Sequence, residues 1–217
     1  MKRLVLLLLL LLSLVLLPGC GQTGKNNGNE PPDSEPQEMT VESLFPIKEN
    51  VKYEYEGLGN EFAFYNVHID YTSDTRVQQR INNGGSEIVK VIEVKDGKVT
   101  QVFSKGEVYY RENYLKNNAE QEILLQEPIK EGTSWTLSDS RKRTITGTSV
   151  DVSVPAGDYK AVEVTTEGPR DKTIEYYAPN VGLVKSIWIS AETGDEISSS
   201  LSKIEENVAL VQNIDFF

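Results

Sequence analysis

The sequence is short of the residues that most often build catalytic and metal centres. Its 217 residues include one cysteine, Cys20, and one histidine, His68. A single cysteine cannot form a disulfide within the chain. CxxC and HExxH motifs and paired histidine ligands are absent, which argues against a zinc or other transition-metal site. We therefore expect no metal, no cofactor and no enzyme activity.

Positive charge is also scarce. Lysine and arginine together number 22 against 33 aspartates and glutamates, so the net charge is −11. Nucleic acid and anionic headgroups would repel a chain this acidic. The composition predicts no nucleic-acid partner, and solubility is sufficient reason for the excess of acidic residues.

Long helical patterns are missing, and from residue 44 onward the apolar residues recur with a period of two instead. Asp96-Gly97, between the alternating runs 87–95 and 98–103, is a strong hairpin signal. Turn residues return at short spacing along the rest of the chain. The sequence predicts an all-β fold, in which an antiparallel meander forms a curved sheet, an open or half barrel, or a sandwich.

The predicted strands are short and numerous. Apolar residues on both faces of the run 62–71 indicate a central strand. Residues 113–126 fit a loop, a short helix or a strand, and the tail 205–217 fits helix or strand. A division into two parts near 113–128 ranks below one continuous sheet. The full set of predicted strands is 51–55, 62–71, 88–94, 98–103, 108–110, 144–148, 150–154, 159–166, 173–177, 184–189 and 196–204.

The N-terminus carries a processing signal. Lys2 and Arg3 precede the run 4–17, which is apolar apart from one serine, and Gly19-Cys20 follows. This order resembles the lipobox of bacterial lipoprotein signal peptides. The resemblance implies cleavage between Gly19 and Cys20 and attachment of acyl chains such as palmitate to Cys20. The alternative is an uncleaved membrane anchor, for which the apolar run is short.

The next segment, 21–38, is rich in glycine, asparagine, proline and charge, which predicts a disordered tether. We therefore expect a signal peptide over 1–19, a lipidated cysteine and tether over 20–43, and a β domain over 44–217. The protein would be lipid-anchored to the membrane on its extracytoplasmic face. In a bacterium with two membranes the protein would be free to be sorted to the outer membrane, because Gly21 is not the aspartate that retains lipoproteins at the inner membrane.

Three motifs mark the C-terminal half: Glu131-Gly132-Thr133-Ser134-Trp135, then Val154-Pro155-Ala156-Gly157-Asp158-Tyr159, then a stretch from Tyr176-Tyr177-Ala178-Pro179-Asn180 through Val181-Gly182-Leu183-Val184-Lys185. Together they resemble a module of bacterial envelope proteins and lipoproteins of unknown activity. That resemblance implies a curved antiparallel sheet, in some cases related to the half-barrels of lipoprotein carriers. Proline and glycine in these motifs have turn chemistry, so we expect the motifs to be scaffold.

Tyrosines are the candidate binding residues. Tyrosine suits half-buried sheet faces and also platforms for sugars or peptides. In an adjacent pair on a strand, one ring faces the core and the other is at least partly exposed. The candidate ligand face consists of Tyr53, Tyr55, Tyr109, Tyr176 and Tyr177.

His68 and Asp70 form the other candidate pair, because positions i and i+2 of a strand share a face. No nucleophile or second metal ligand accompanies them, so we interpret them as a polar pair on a solvated face.

The predicted function is a non-catalytic binding or structural module at the cell envelope. Its partners would be an envelope protein, the cell wall or a lipid. One alternative is a carrier that shelters a lipid or other apolar ligand in a concave sheet face, which requires a cavity that the core does not fill. The chain holds enough apolar residues to fill its core, which favours the first hypothesis. The last alternative, a carboxylate-based hydrolase, requires two acids at catalytic separation, and the sequence does not single out a pair.

Overall fold

The computed structural model of the protein describes residues 39–119 and 121–208. The predicted cleavage and lipidation sites at Gly19 and Cys20 lie outside these residues, as does the predicted tether 21–38. The described residues form one compact unit.

Twelve strands dominate the described residues, and the all-β prediction is confirmed. A short helix and one 3-10 turn, Glu61–Ala63, accompany them. The elements in chain order are α1 Val41–Leu44, β1 Lys52–Leu58, β2 Tyr65–Thr72, β3 Arg76–Asn82, β4 Glu87–Lys95, β5 Lys98–Gly106, β6 Glu122–Gln126, β7 Ser134–Thr136, β8 Lys142–Val154, β9 Gly157–Glu167, β10 Asp171–Ala178, β11 Gly182–Ser190 and β12 Glu196–Glu205.

All twelve strands belong to one antiparallel sheet, in the order β6-β5-β4-β3-β2-β1-β12-β11-β10-β9-β8-β7. The first strand pairs with the last in the middle of the sheet, with Tyr53 opposite Ile204. The sheet therefore consists of two six-stranded meanders. We call β1–β6 the N-terminal half and β7–β12 the C-terminal half.

The sheet curls until its two edges meet. In a flat sheet of twelve strands the edges β6 and β7 would lie about 50 Å apart. Here the indole Nε1 of Trp135 on β7 donates a 3.0 Å hydrogen bond to the carbonyl oxygen of Ile123 on β6. Among the described residues no ladder joins β6 to β7, so the sheet is open and not closed. The curl gives the sheet a concave and a convex face.

The main hydrophobic core lies on the concave face. In the C-terminal half it is filled by wholly buried side chains, among them Ile145, Val162 and Val164. A second, smaller core lies on the other face of β4 and β5. It consists of Val89, Val91, Val102, Val108 and Tyr114.

The residues that cover this second core are 107–119, which we call the strap. Gln78, on β3 and wholly buried, accepts a 2.7 Å hydrogen bond from the Tyr114 backbone N–H and donates a 2.8 Å bond to the Glu112 carbonyl. The Arg111 guanidinium stacks over the Tyr71 ring at 4.4 Å. Polar bonds thus hold an irregular segment against the convex face, and β4 and β5 are buried on both sides.

Several local predictions need correction. Residues 108–110 are not a strand but the start of the strap, and the runs 144–148 and 150–154 join into the single strand β8. The strand β3 escaped prediction because its Gln78 and Arg80 give it a polar pattern; both bond within the fold. Residues 61–63 form the 3-10 turn, so the strand predicted from 62 begins at Tyr65.

Candidate functional site

An open cavity of about 400 Å³ lies in the concave face. Its volume falls in the usual range of small-molecule sites, about 300–1,000 Å³. Leu124 on β6 and Thr173 on β10 both line it, although eight steps of the sheet order separate their strands. The cavity therefore exists because the sheet curls.

Four tyrosines form one wall of the cavity: Tyr53, Tyr55, Tyr65 and Tyr177. The rings of Tyr55 and Tyr65 stack with centroids 4.5 Å apart and an interplanar angle of 19°. The Tyr55 hydroxyl donates a 2.8 Å hydrogen bond to the Leu183 carbonyl. These contacts fix the aromatic wall before any ligand arrives.

Burial raises the pKa of the hydroxyls in this wall further above physiological pH. Desolvation, with a smaller contribution from Glu206, raises the pKa of Tyr53 to about 12. Burial also raises the pKa of Tyr55, Tyr65 and Tyr177. The wall therefore presents rings and uncharged hydroxyls at physiological pH, which suits an apolar or weakly polar ligand.

Aliphatic side chains complete most of the lining, and a belt of polar residues interrupts them. The aliphatic members are Val67, Ile69, Val77, Ile81, Ile88, Ile92, Leu124, Val181 and Leu183. The polar belt holds Gln79, Lys90 and Gln101 from the N-terminal half and Thr173, Glu175 and Ser186 from the C-terminal half.

Glu175 in this belt is tied to a buried cation. Its carboxylate accepts a hydrogen bond from the guanidinium of Arg143, a residue that is only 3% exposed. The Arg143 Nε has no hydrogen-bond partner among the described residues. An arginine this deep depends on its carboxylate partner, so Glu175 is held in place as part of the wall.

One end of the cavity is closed by residues 39–48, which we call the cap. Val41 and Leu44 of α1 are wholly buried, and Phe45 and Pro46 line the cavity. The Val41 N–H donates to Glu127 Oε1 at 3.0 Å, beyond the end of β6. The cap is therefore part of the folded domain, although its first half, 39–43, lies within the predicted tether.

The opposite end of the cavity lies at the other ends of these strands. Lining residues at the far ends of their strands, Ile81, Ile88 and Thr173, are half-buried. The loop between β1 and β2 packs here, because Ser199 Oγ donates a 2.7 Å bond to the Ala63 carbonyl. A Cβ on Gly57 would lie 2.2 Å from the Phe64 nitrogen, so only glycine permits this approach.

The C-terminal motifs hold the fold around the cavity, and the third motif also lines it through Tyr177, Val181 and Leu183. Asn180 and Gly182 take positive φ of 63° and 103° in the turn between β10 and β11, and the Asn180 N–H donates to the Ser43 carbonyl at 2.6 Å. At the tip of the β8–β9 hairpin the Ala156 N–H bonds Leu201 O at 3.0 Å. One motif thus holds the cap, another fixes a hairpin to β12, and Trp135 joins the sheet edges.

The structure separates the five predicted ligand-face tyrosines. Tyr53, Tyr55 and Tyr177 line the cavity. Tyr176 is half-buried outside the lining, where burial and nearby Glu163 raise its pKa to about 12. Tyr109 is exposed in the strap beside exposed Tyr110, so the expectation that one ring of each pair is buried is wrong there.

Sequence reasoning missed Tyr65 and the polar belt. Tyr65 was visible as part of an alternating face with Val67 and Ile69, but nothing local distinguished it from a core residue. The belt residues Gln79, Lys90 and Gln101 come from three different strands. Only the register of the sheet brings them together.

The interpretation of His68 and Asp70 as a polar pair on a solvated face is wrong for Asp70, which is 3% exposed. Asp70, which is buried, accepts a 3.0 Å bond from Arg80. Burial, Arg80 and Lys52 lower the pKa of His68. Within residues 39–119 and 121–208, no three or more His, Cys, Asp or Glu side chains are grouped to hold a metal ion. In the same ranges no helix is long and apolar enough to cross a membrane.

Comparison with known proteins returned two structures of low similarity. No family model matches the chain, and no curated protein matches it. A putative exported protein with YmcC-like fold from Bacteroides fragilis is 14% identical, with a TM-score of 0.45 over 75% of this chain and 98% of that one. A putative lipoprotein from Parabacteroides distasonis is 16% identical, with a TM-score of 0.42 and the same coverage.

Proposed function

We propose that this protein binds an apolar or amphipathic small molecule in the concave cavity. The observation that carries the proposal is the unfilled space of about 400 Å³ behind a fixed tyrosine wall, in a domain whose C-terminal half is packed. The carrier hypothesis requires a concave face that the core does not fill, and this cavity meets that requirement. We therefore favour the carrier hypothesis over a purely structural role.

The lining indicates the ligand's chemistry. Aromatic and aliphatic side chains make most of the wall, so apolar burial would supply most of the affinity. The belt through Gln79, Thr173 and Ser186 offers hydrogen bonds to a polar group at one position along the ligand. A lipid-like molecule with one polar group matches this arrangement.

Chemistry on the ligand is not part of the proposal. Among the described lining residues Glu175 is the one carboxylate, and it is engaged by Arg143. A glycosidase-type mechanism needs two carboxyl groups, one of them free to donate a proton. The cavity as built offers binding without this pair.

We place this binding at the envelope surface. The lipobox-like segment ending at Cys20 would export the chain and attach acyl chains to it, and two or more chains anchor a protein stably. The domain would then work on the extracytoplasmic side of the membrane.

The test uses the anchor-free chain, residues 21–217, which retains the compact unit formed by the described residues. N-phenyl-1-naphthylamine, an apolar dye that fluoresces when buried, would be titrated into the wild type and into Ser186→Phe. Ser186 lines the cavity. The matched control is Ser200→Phe, because Ser200 is adjacent to Ser199, the register partner of Ser186, and so faces the opposite side of the sheet.

We expect saturable dye binding by the wild type and Ser200→Phe, and at least tenfold weaker binding by Ser186→Phe, because a phenyl ring occupies the cavity. Native mass spectrometry of the same samples would show whether a ligand purifies with the protein. Equal dye binding by both variants, or none by a ligand-free wild type, would refute the proposal.

A further inference from the structure

The exposed apolar side chains of the domain collect at one end. Among the described residues five large hydrophobic side chains are exposed: Leu58, Phe62, Phe64, Tyr109 and Tyr110. Single exposed apolar residues are normal on a protein surface, but a cluster marks an interaction site. We call these five residues the rim.

The register of the sheet places the rim at the end of the cavity opposite the cap. Leu58 ends β1 beyond the pair Tyr55–Tyr65. Phe62 lies against the β3–β4 turn, since a Cβ on Gly85 would meet its ring at 2.9 Å. Val108, directly before the two exposed tyrosines, bonds the Glu87 carbonyl at the start of β4. The cap lies at the other ends of the strands.

The fold presents the rim aromatics in a fixed position. Asn60 caps the 3-10 turn by accepting from the Phe62 N–H at 2.7 Å, and Ala63 between the two phenylalanines is buried. The turn is therefore anchored through Ala63 while both rings remain in solvent. Apolar surface held out by a fixed loop is not explained by packing within this domain.

We propose that the rim docks on the surface of an uncharged lipid bilayer and so turns this end of the cavity toward the membrane. Tyrosine and phenylalanine are favoured at the boundary between headgroups and acyl chains. The exposed charged residues within four positions of a rim residue include acidic Glu56, Glu61 and Glu107 and basic Lys105, so the local charge is negative. This negative charge opposes docking to anionic headgroups, and equally to a second copy of this acidic chain.

The chain ahead of the cap allows this orientation. Residues 21–38 can span at most about 60 Å when extended. The nine-residue strand β4 is about 30 Å long. A lipid on Cys20 can therefore lie in the same bilayer that the rim contacts, although the cap is at the opposite end of the domain. The position of Cys20 in that bilayer rests on the proposed lipid anchor. The proposal that the rim contacts a bilayer does not depend on that anchor.

The experiment measures co-sedimentation of the anchor-free chain, residues 21–217, with phosphatidylcholine vesicles. The rim variant is Phe62→Ser/Phe64→Ser, and the comparison variant is Ser186→Phe, which fills the cavity. We expect the wild type and Ser186→Phe to bind equally, and the rim variant to bind at least about tenfold more weakly. The rim variant should keep its thermal midpoint and its affinity for N-phenyl-1-naphthylamine.

The rim variant should lose vesicle binding and keep dye binding, whereas Ser186→Phe should lose dye binding and keep vesicle binding. The two variants therefore separate this proposal from the proposed function. Replacing part of the phosphatidylcholine with phosphatidylglycerol should reduce binding of the wild type. The proposal is overturned if the wild type binds vesicles no better than the rim variant. It is also overturned if anionic lipid strengthens binding, or if sedimentation shows a dimer that the rim variant abolishes.

Discussion

The two halves of the sheet share a meander of six antiparallel strands but use their concave faces differently. In the C-terminal half Ile145, Val162 and Val164 are wholly buried and pack into one core. In the N-terminal half the concave residues of β3 to β5 include Gln79 and Lys90 and leave a cavity of about 400 Å³. The same topology thus supports a filled core on one side and a binding space on the other.

The strap explains how the N-terminal half tolerates this space. Val89, Val91 and Val102 are buried beneath it on the convex side. Burying apolar surface stabilises a sheet from whichever face the burial occurs on. A second core under the strap therefore stabilises β4 and β5 independently of the concave face, which is left free for a ligand.

The largest expected effect is a difference between two buried isoleucines. Ile145→Ala should lower the free energy of unfolding by about 4 kcal/mol, because it opens a cavity in packed surroundings. Ile92→Ala should cost about 2 kcal/mol, because Ile92 already borders the open space and loses fewer contacts. Both residues are at most 1% exposed.

Urea unfolding of both variants measures this difference, with the wild-type m value as the check that the folded and unfolded states are unchanged. Equal losses would mean that the N-terminal half packs its concave face in solution, and the comparison between the halves would fail.

A second prediction concerns pH. The pKa of Tyr53 is raised from 10 to about 12 by burial, so the folded state holds its proton where the unfolded state releases it. This contribution to stability is fully present below pH 10 and is lost as pH rises from 10 to about 12, by about 2–3 kcal/mol for this one side chain.

The free energy of unfolding, measured across alkaline pH, should therefore fall less steeply between pH 10 and 12 in Tyr53→Phe than in the wild type. If tyrosinate absorbance shows all tyrosines ionising before the protein unfolds, the cavity wall is wetter than the structure indicates.

The smallest expected effect concerns the contact between the sheet edges. Trp135→Phe removes the indole donor to the Ile123 carbonyl, and we expect a loss of about 1–2 kcal/mol with faster amide hydrogen exchange in β6. Trp188→Phe is the matched control, since it removes the 3.1 Å indole bond to Asp171 within the C-terminal half. Trp188 is half-buried, and its change should leave exchange in β6 as it was.

The site was only partly accessible to sequence reasoning. The alternation around Tyr53 and Tyr55 placed both rings on one strand face, and the structure puts that face in the cavity. Tyr109 looked equivalent, but the chain leaves β5 at Gly106 and the pair 109–110 is not in a strand. An alternation of period two predicts which face a side chain occupies only where the chain forms a strand. The rule was therefore right for Tyr53 and Tyr55 and wrong for Tyr109 and Tyr110.

Strand β3 shows a second limit. Its polar Gln78 is wholly buried because the strap supplies backbone partners from 34 and 36 residues away. A burial pattern of this kind cannot be read from neighbours in sequence, since its partners are long-range.

Local sequence patterns were enough to predict the all-β class, most strand positions and the turns, because alternation and the φ preferences of glycine, proline and asparagine are local properties. Tertiary structure alone decided that β1 pairs with β12, that the sheet curls until Trp135 reaches Ile123, and that an unfilled cavity and a rim result. These features depend on contacts between residues far apart in the chain, and the volume left between packed side chains is a property of the whole sheet.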